Sequence, residues 1–172
     1  MSVIVPLNII AQDAIERLLD AAFGPDRHGR TAYLIRNGMP WLPDLSFGVE
    51  DERGELVGSL QSWPIALTHD DGTQTPLIMI GPVAVDPALQ RTGHGRAMMD
   101  AVVTAARAHR SDPLMMIGDP EYYGRFWGFS ANGTGGWQCP GPFERRRLLA
   151  LSVDGNPVGG TGMLSPRITI PA

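Results

Sequence analysis

The sequence predicts a single mixed α/β domain, and three patterns carry that expectation. Residues 77–85 are an apolar run, 86–97 a turn rich in small and basic residues, 98–106 a helix with one apolar face, and 114–117 a second apolar run, the order of a β-α-β unit. Residues 46–50 and 56–63 bracket Asp51-Glu52-Arg53-Gly54, the layout of two antiparallel strands around a hairpin turn. At 172 residues and 43% hydrophobic, the chain is large enough for one well-filled core and short for two, so the domain is taken as 1–172.

The elements follow in order. Ser2 to Pro6 predicts a short strand. Ile15, Leu18, Leu19, Ala22 and Phe23 share one helical face, with capping expected between Asn8 and Asp13 and a stop at Gly24-Pro25. A second short helix is expected around Thr31 to Arg36, followed by a Gly/Pro-rich loop to Pro43. Trp63-Pro64 is expected to end the strand that starts at Leu56. Within Leu77–Val85, Pro82 has no amide hydrogen for a regular ladder, so a bulge or splay is expected near Gly81-Pro82. Met98, Met99, Val102, Val103, Ala105 and Ala106 form the core face of the next helix, which Ser111-Asp112-Pro113 closes. After Phe129, residues 132–136 read as a loop, 146–153 as a late strand and 155–172 as a Gly/Pro-rich tail, and the trio Arg145-Arg146-Arg147 reads as a solvated edge.

The chemistry concentrates in Gln90-Arg91-Thr92-Gly93-His94-Gly95, placed between a strand and a helix. The first turn of a helix has backbone N–H groups without intrahelical partners and the positive end of the helix dipole, so it attracts phosphate. Gly93 and Gly95 remove side chains that would keep a pyrophosphate from those amides. A Walker loop is excluded because Arg96 and Ala97 stand where Lys and Ser/Thr are needed. A dinucleotide fingerprint is disfavoured because Met98 occupies the position of its third glycine.

What remains resembles the Gln/Arg-x-x-Gly-x-Gly/Ala motif of the GNAT superfamily, the acyl-CoA-dependent N-acetyltransferases, matched here by Gln90, Gly93 and Gly95. A second run, Gly118-Asp119-Pro120-Glu121-Tyr122-Tyr123-Gly124-Arg125-Phe126-Trp127-Gly128-Phe129, is similar to that superfamily's strand end, short tyrosine-bearing helix and Gly-Phe strand start. Together with the Leu148-Leu149 strand it resembles a bacterial branch of predicted N-acetyltransferases without assigned acceptors. The spacing departs in one respect: four residues separate Tyr123 from Gly128, where the family commonly has two or three. The resemblance implies a sheet of about six or seven strands, splayed at its centre and with helices on both faces. It assigns the main chain of Val83, Ala84 and Val85 to the pantetheine arm of coenzyme A, and Gln90, Arg91, Thr92, Gly93, His94, Gly95 and Arg96 to its phosphates. Acetyl-CoA is then the co-substrate, a small-molecule or peptide amine the acceptor, and direct attack in a ternary complex the reaction, with an acidic acceptor or the 3′-phosphate as alternative partners of Arg145-Arg146-Arg147.

A coenzyme A thiolate should resemble cysteine, with a pKa of about 8.5 against about 10 for tyrosine, so full proton transfer from tyrosine is uphill by about 2 kcal/mol. A tyrosine therefore suits hydrogen-bond donation to the developing sulfur charge, a role given to Tyr123 first and Tyr122 second. The amine must lose a proton before attack, and Asp119 and Glu50 are the candidate carboxylates, either acting through water. A main-chain N–H at the splay, such as that of Val83, could receive the thioester oxygen.

Composition narrows the alternatives. A net charge of −4 argues against broad nucleic-acid binding, although Arg91, His94 and Arg96 make the loop locally basic. No run approaches the length of a membrane span and no secretory leader is evident, so a cytoplasmic protein is expected. Cys139 is the only cysteine and reads as a small apolar filler; His28, His69, His94 and His109 lack metal spacing, and no metal is expected. Two other classes stay open, a non-catalytic acyl-CoA sensor or partner module and a purely structural α/β domain. A homodimer is possible.

Overall fold

The computed structural model describes residues 2–90 and 92–168. Its centre is an eight-stranded open sheet. The strands are β1 (Val3–Pro6), β2 (Phe47–Glu50), β3 (Leu56–Thr68), β4 (Gln74–Val85), β5 (Leu114–Ile117), β6 (Gly136–Gln138), β7 (Leu148–Leu151) and β8 (Thr161–Pro166). Among the described residues four α-helices accompany them: α1 (Gln12–Phe23), α2 (Thr31–Ile35), α3 (His94–His109) and α4 (Pro120–Trp127). The main order is β1-β2-β3-β4-β5-β7, antiparallel except for the β4–β5 pair that α3 connects.

Helices cover both faces, as expected. Met98, Met99, Val102, Val103 and Ala106 of α3 pack on Val57, Leu60, Ile78 and Ile80. On the other face Ile15, Leu18 and Leu19 of α1 meet Leu7 and Ala84, each large side chain contributing about 2 kcal/mol as an upper estimate. Ile35 of α2 joins Trp63, Ile65 and Met79 beside it. α1 ends where expected, at Gly24 with φ 92°.

Four expectations need correction. First, β3 does not end at Trp63-Pro64 but continues to Thr68. Ile78, opposite Pro64, donates its N–H to Pro113 on the β5 side, so the backbone groups of this pair face away from each other. The Pro64 nitrogen therefore looks to the other edge, between β2 opposite Leu60 and β8 opposite Ile65, where no donor is needed.

Second, the C-terminal segment is more than a tail. Residues 161–166 form β8, antiparallel to the far half of β3 and parallel to β6, which lies at the end of the expected 132–136 loop; the sheet thus has eight strands rather than six or seven. Arg167 fastens β8, its buried guanidinium donating to the carbonyls of Ile65 and Leu77 and to Asp112.

Third, the late strand shrinks to Leu148–Leu151, and Phe129 is a buried core residue next to a single Ser130–Ala150 bridge rather than the start of a strand. Fourth, Arg145–Arg147 is a 3-10 turn rather than a strand edge, with Arg145 and Arg146 exposed as expected and Arg147 half-buried. Arg145 donates to the carbonyls of Thr134, Gly135 and Trp137, and Arg146 pairs with Glu121.

No helix among the described residues is long and apolar enough to cross a membrane. Cys139 packs beside the α2-side core, and burial pushes its thiol up to about 11.

Candidate active site

The site begins where β4 and β5 part. Among the described residues they pair only at Ile78–Leu114 and Met79–Met115, after which β4 runs on to Val85 with no described strand on that edge. The β3–β4 register steps from Ser62–Ile80 to Leu60–Val83, which puts an extra β4 residue at Gly81-Pro82, the expected bulge. Gly81 has φ 132°, open to glycine and strained for other residues, and its carbonyl accepts the indole N–H of Trp63 at 2.7 Å. Beyond the bulge, Asp86 donates to Val57 of β3, so alternation turns the main chain of Val85 and Val83 to the open edge and that of Ala84 to β3. Of the three residues expected to meet pantetheine, two thus offer backbone groups to the gap. Ala84 lies 1% exposed against α1.

A cleft of about 1340 Å³ fills the divergence, with Gly81, Pro82 and Val83 on one wall and Met116, Gly118 and Tyr123 on the other. It extends to Arg27 and Arg30 of the α1–α2 connection and to Tyr33 of α2. Beyond the end of β4, Gly93 caps α3 in the left-handed conformation, φ 86°, and the first turn closes with Ala97 N–H on the Gly93 carbonyl. The amides of His94, Gly95 and Arg96 have no acceptor among the described residues, as the first turn of a helix requires. Gln90 donates its side-chain amide to the Val85 carbonyl at 3.1 Å, and the Thr92 hydroxyl donates to Leu89 at 2.5 Å; both therefore brace the loop. Arg96 lies over the Phe126 ring at 4.1 Å, tying the first turn of α3 to α4. Arg91 lies outside the described residues.

α4 starts at Asp119, whose side chain accepts the Glu121 N–H at 3.1 Å. Hydrogen bonding from Glu121 and the charges of Arg146 and Arg147 hold the Asp119 carboxyl below its ordinary range, which makes it a weak base. Tyr123 is half-buried with its ring against Gly118, and burial raises its phenol pKa, with Tyr122 adding and Arg147 opposing. Tyr122, 37% exposed, lines the same cleft and meets Tyr123 edge-on at 5.0 Å. Trp127 donates to Asp100 of α3 at 2.8 Å, so α4 is docked through its last turn, the stretch in which the tyrosine-to-Gly128 spacing is long.

Glu50 is not brought to this cleft. It sits on β2, two strands from the open edge, opposite Val3 and Leu56. One participant escaped the sequence reading, Trp63, which pins the bulge; Arg147, which reaches the cleft from the turn before β7, belongs to the trio read as a solvated edge with an acidic acceptor or the 3′-phosphate as its alternative partner. A tryptophan two residues from the bulge partner of Gly81 was the available signal for the first; for the trio, nothing local separates Arg147 from its two neighbours. Among the described residues no group of three or more His, Cys, Asp or Glu could hold a metal ion.

Gly118 makes this wall testable. A Cβ there would lie 2.7 Å from the Tyr123 ring, so Gly118→Ala is expected to shift the phenol and lower kcat about tenfold or more with the acetyl-CoA affinity nearly retained. Steady-state kinetics beside calorimetric titration checks this, and equal losses in both would contradict it.

The family model described as acetyltransferase (GNAT) family matches residues 12–129. Among solved structures, the chain is similar to the GNAT family N-acetyltransferase YhbS from Escherichia coli in complex with CoA, with TM-score 0.71 and 21% identity, covering 97% of this chain and 89% of the other. It is also similar to a GNAT family acetyltransferase from Brucella melitensis in complex with acetyl-CoA, with TM-score 0.65, 22% identity and coverage of 98% and 97%. Eis1 from Mycobacterium abscessus matches at TM-score 0.53 and 20% identity over 77% of this chain and 32% of its own. At these identities the likenesses bear on the fold alone. No curated protein matches.

Proposed function

The chain belongs to the acetyltransferase (GNAT) family, and from that premise we propose that it moves an acetyl group from acetyl-CoA to a primary amine by direct attack in a ternary complex. One observation carries the reading: a single cleft runs along the unpaired edge of β4, with the open first turn of α3 beyond the end of that strand and Tyr123 on the opposite wall. The diphosphate of the coenzyme sits on the amides of His94, Gly95 and Arg96, held by charge-assisted hydrogen bonds and the helix dipole. Pantetheine extends along Val85 and Val83 as an added strand, and the thioester carbonyl receives the Val83 N–H.

The neutral amine nitrogen forms its bond to the acetyl carbon while the carbon–sulfur bond breaks. Of the two protons that an ammonium must lose, one passes to solvent before attack and the other leaves as the amide forms, the thiolate ending as a thiol. Tyr123 donates its hydroxyl hydrogen bond to the developing sulfur charge. Asp119 is the candidate carboxylate that solvent in the cleft can reach, and it passes the amine proton through water rather than directly, given its depressed pKa.

The absence of a strong base among the two candidate carboxylates favours a second reading, an acyl-CoA-binding module without turnover. Release of thiol from acetyl-CoA, followed against a panel of amines, separates the two. The proposal expects amine-dependent release, and the acetylated amine in equal amount. Acetyl-CoA binding without amine-dependent release across the panel would favour the binding module.

A further inference from the structure

The geometry points to an acceptor that carries a carboxylate as well as its amine, with Arg147 as the residue that receives the carboxylate; the inference rests on the transferase reading above. The three successive arginines that precede β7 meet different fates. Arg145 spends its guanidinium on three backbone carbonyls, and Arg146 on Glu121. Arg147, half-buried, turns into the cleft and has no hydrogen-bond or ion-pair partner for its side chain among the described residues. A guanidinium partly withdrawn from water and left without an acceptor is costly, and a planar carboxylate is the group that fits its paired donors.

The other charges on the cleft are accounted for. Arg27 is neutralised by Glu16 and Asp20, and Arg30 is held on Phe23, donating to its carbonyl at 3.2 Å and lying over its ring. Asp119 caps α4, and Glu144 stands in the turn that leads to Arg147. A zwitterionic amine suits this mixture: its ammonium is attracted by Asp119 and Glu144 in the cleft, while its carboxylate meets the unspent arginine. Arg147 also stands near enough to Tyr123 and Asp119 to pull on the protonation of both, which places the bound carboxylate next to the reacting end of the cleft.

The test uses ω-amino acids of increasing length, each paired with its own amide, with kcat/KM read from thiol release in the wild type, Arg147→Gln and Arg147→Lys. The expected result is a preference for the acid of about tenfold or more at one chain length, a ratio near one in Arg147→Gln, and partial recovery in Arg147→Lys. An arginine that served only to tune Tyr123 would lower both members of each pair together and keep the ratio. Equal use of acid and amide by the wild type, or an unchanged ratio in Arg147→Gln, would overturn the inference while leaving the transferase reading intact. Binding of acetyl-CoA with no turnover of any amine would remove that reading and this inference with it.

Discussion

Replacing Tyr123 by Phe is expected to lower the acetyl-transfer rate about a hundredfold while acetyl-CoA affinity stays within about twofold. Phenylalanine keeps the ring against Gly118 and the contacts to Tyr122 and Trp127, so packing of α4 is retained and only the donor is lost. Losing one hydrogen bond to a developing charge costs about 2 to 3 kcal/mol, which corresponds to that fall in rate. The raised phenol pKa works in the same direction. A phenol that titrates above its usual value of about 10 keeps its proton through the neutral and mildly alkaline range, so no decline in rate from this group is expected below about pH 10. Tyr122→Phe, at the more exposed position, is expected to change the rate about threefold or less. Should Tyr122→Phe produce the hundredfold loss instead, the two tyrosines exchange roles.

The second large effect is on coenzyme binding. Gly93→Val is expected to weaken acetyl-CoA binding about tenfold or more and to remove much of its thermal stabilisation. Gly93 has φ 86°, where a β-branched residue is strained by about 1 to 2 kcal/mol, yet a Cβ there meets nothing within 4 Å. The defect is therefore one of backbone direction: relief of the strain turns the amides that follow, His94 to Arg96, away from their common focus. Gly54→Val supplies the control, since Gly54 has φ 78° and equally open surroundings but lies in the β2–β3 turn. It should cost similar stability and leave acetyl-CoA affinity unchanged. Equal losses of affinity in the two variants would mean that the α3 turn has no special part in binding.

Several features of this architecture were legible in local sequence. Pro82 cannot supply a ladder hydrogen bond, so the bulge follows from one residue, and Gly93 and Gly95 before an amphipathic run mark the helix start. The α1 and α3 core faces follow from periodicity alone. What escaped depends on partners distant in sequence. Pro64 is tolerated inside β3 because β2 ends and β8 begins around it, and β8 itself is a short Gly- and Pro-containing segment made stable by pairing and by Arg167, not by propensity. The cleft shows the same limit. Arg147 is distinguished from its two neighbours only by the turn that aims it, and Glu50 resembles a functional strand-end carboxylate until the strand order places it two strands away from the opening.

The central claim is that coenzyme A lies along the open edge of β4 with its diphosphate on the first turn of α3. Residue-resolved amide hydrogen exchange with and without acetyl-CoA tests it most directly. The account predicts slowed exchange at Val83, Val85, His94, Gly95 and Arg96, with little change along β1 and β2 on the far side of the sheet. Binding that left those five amides exchanging as before, or that protected a different edge of the sheet, would contradict it.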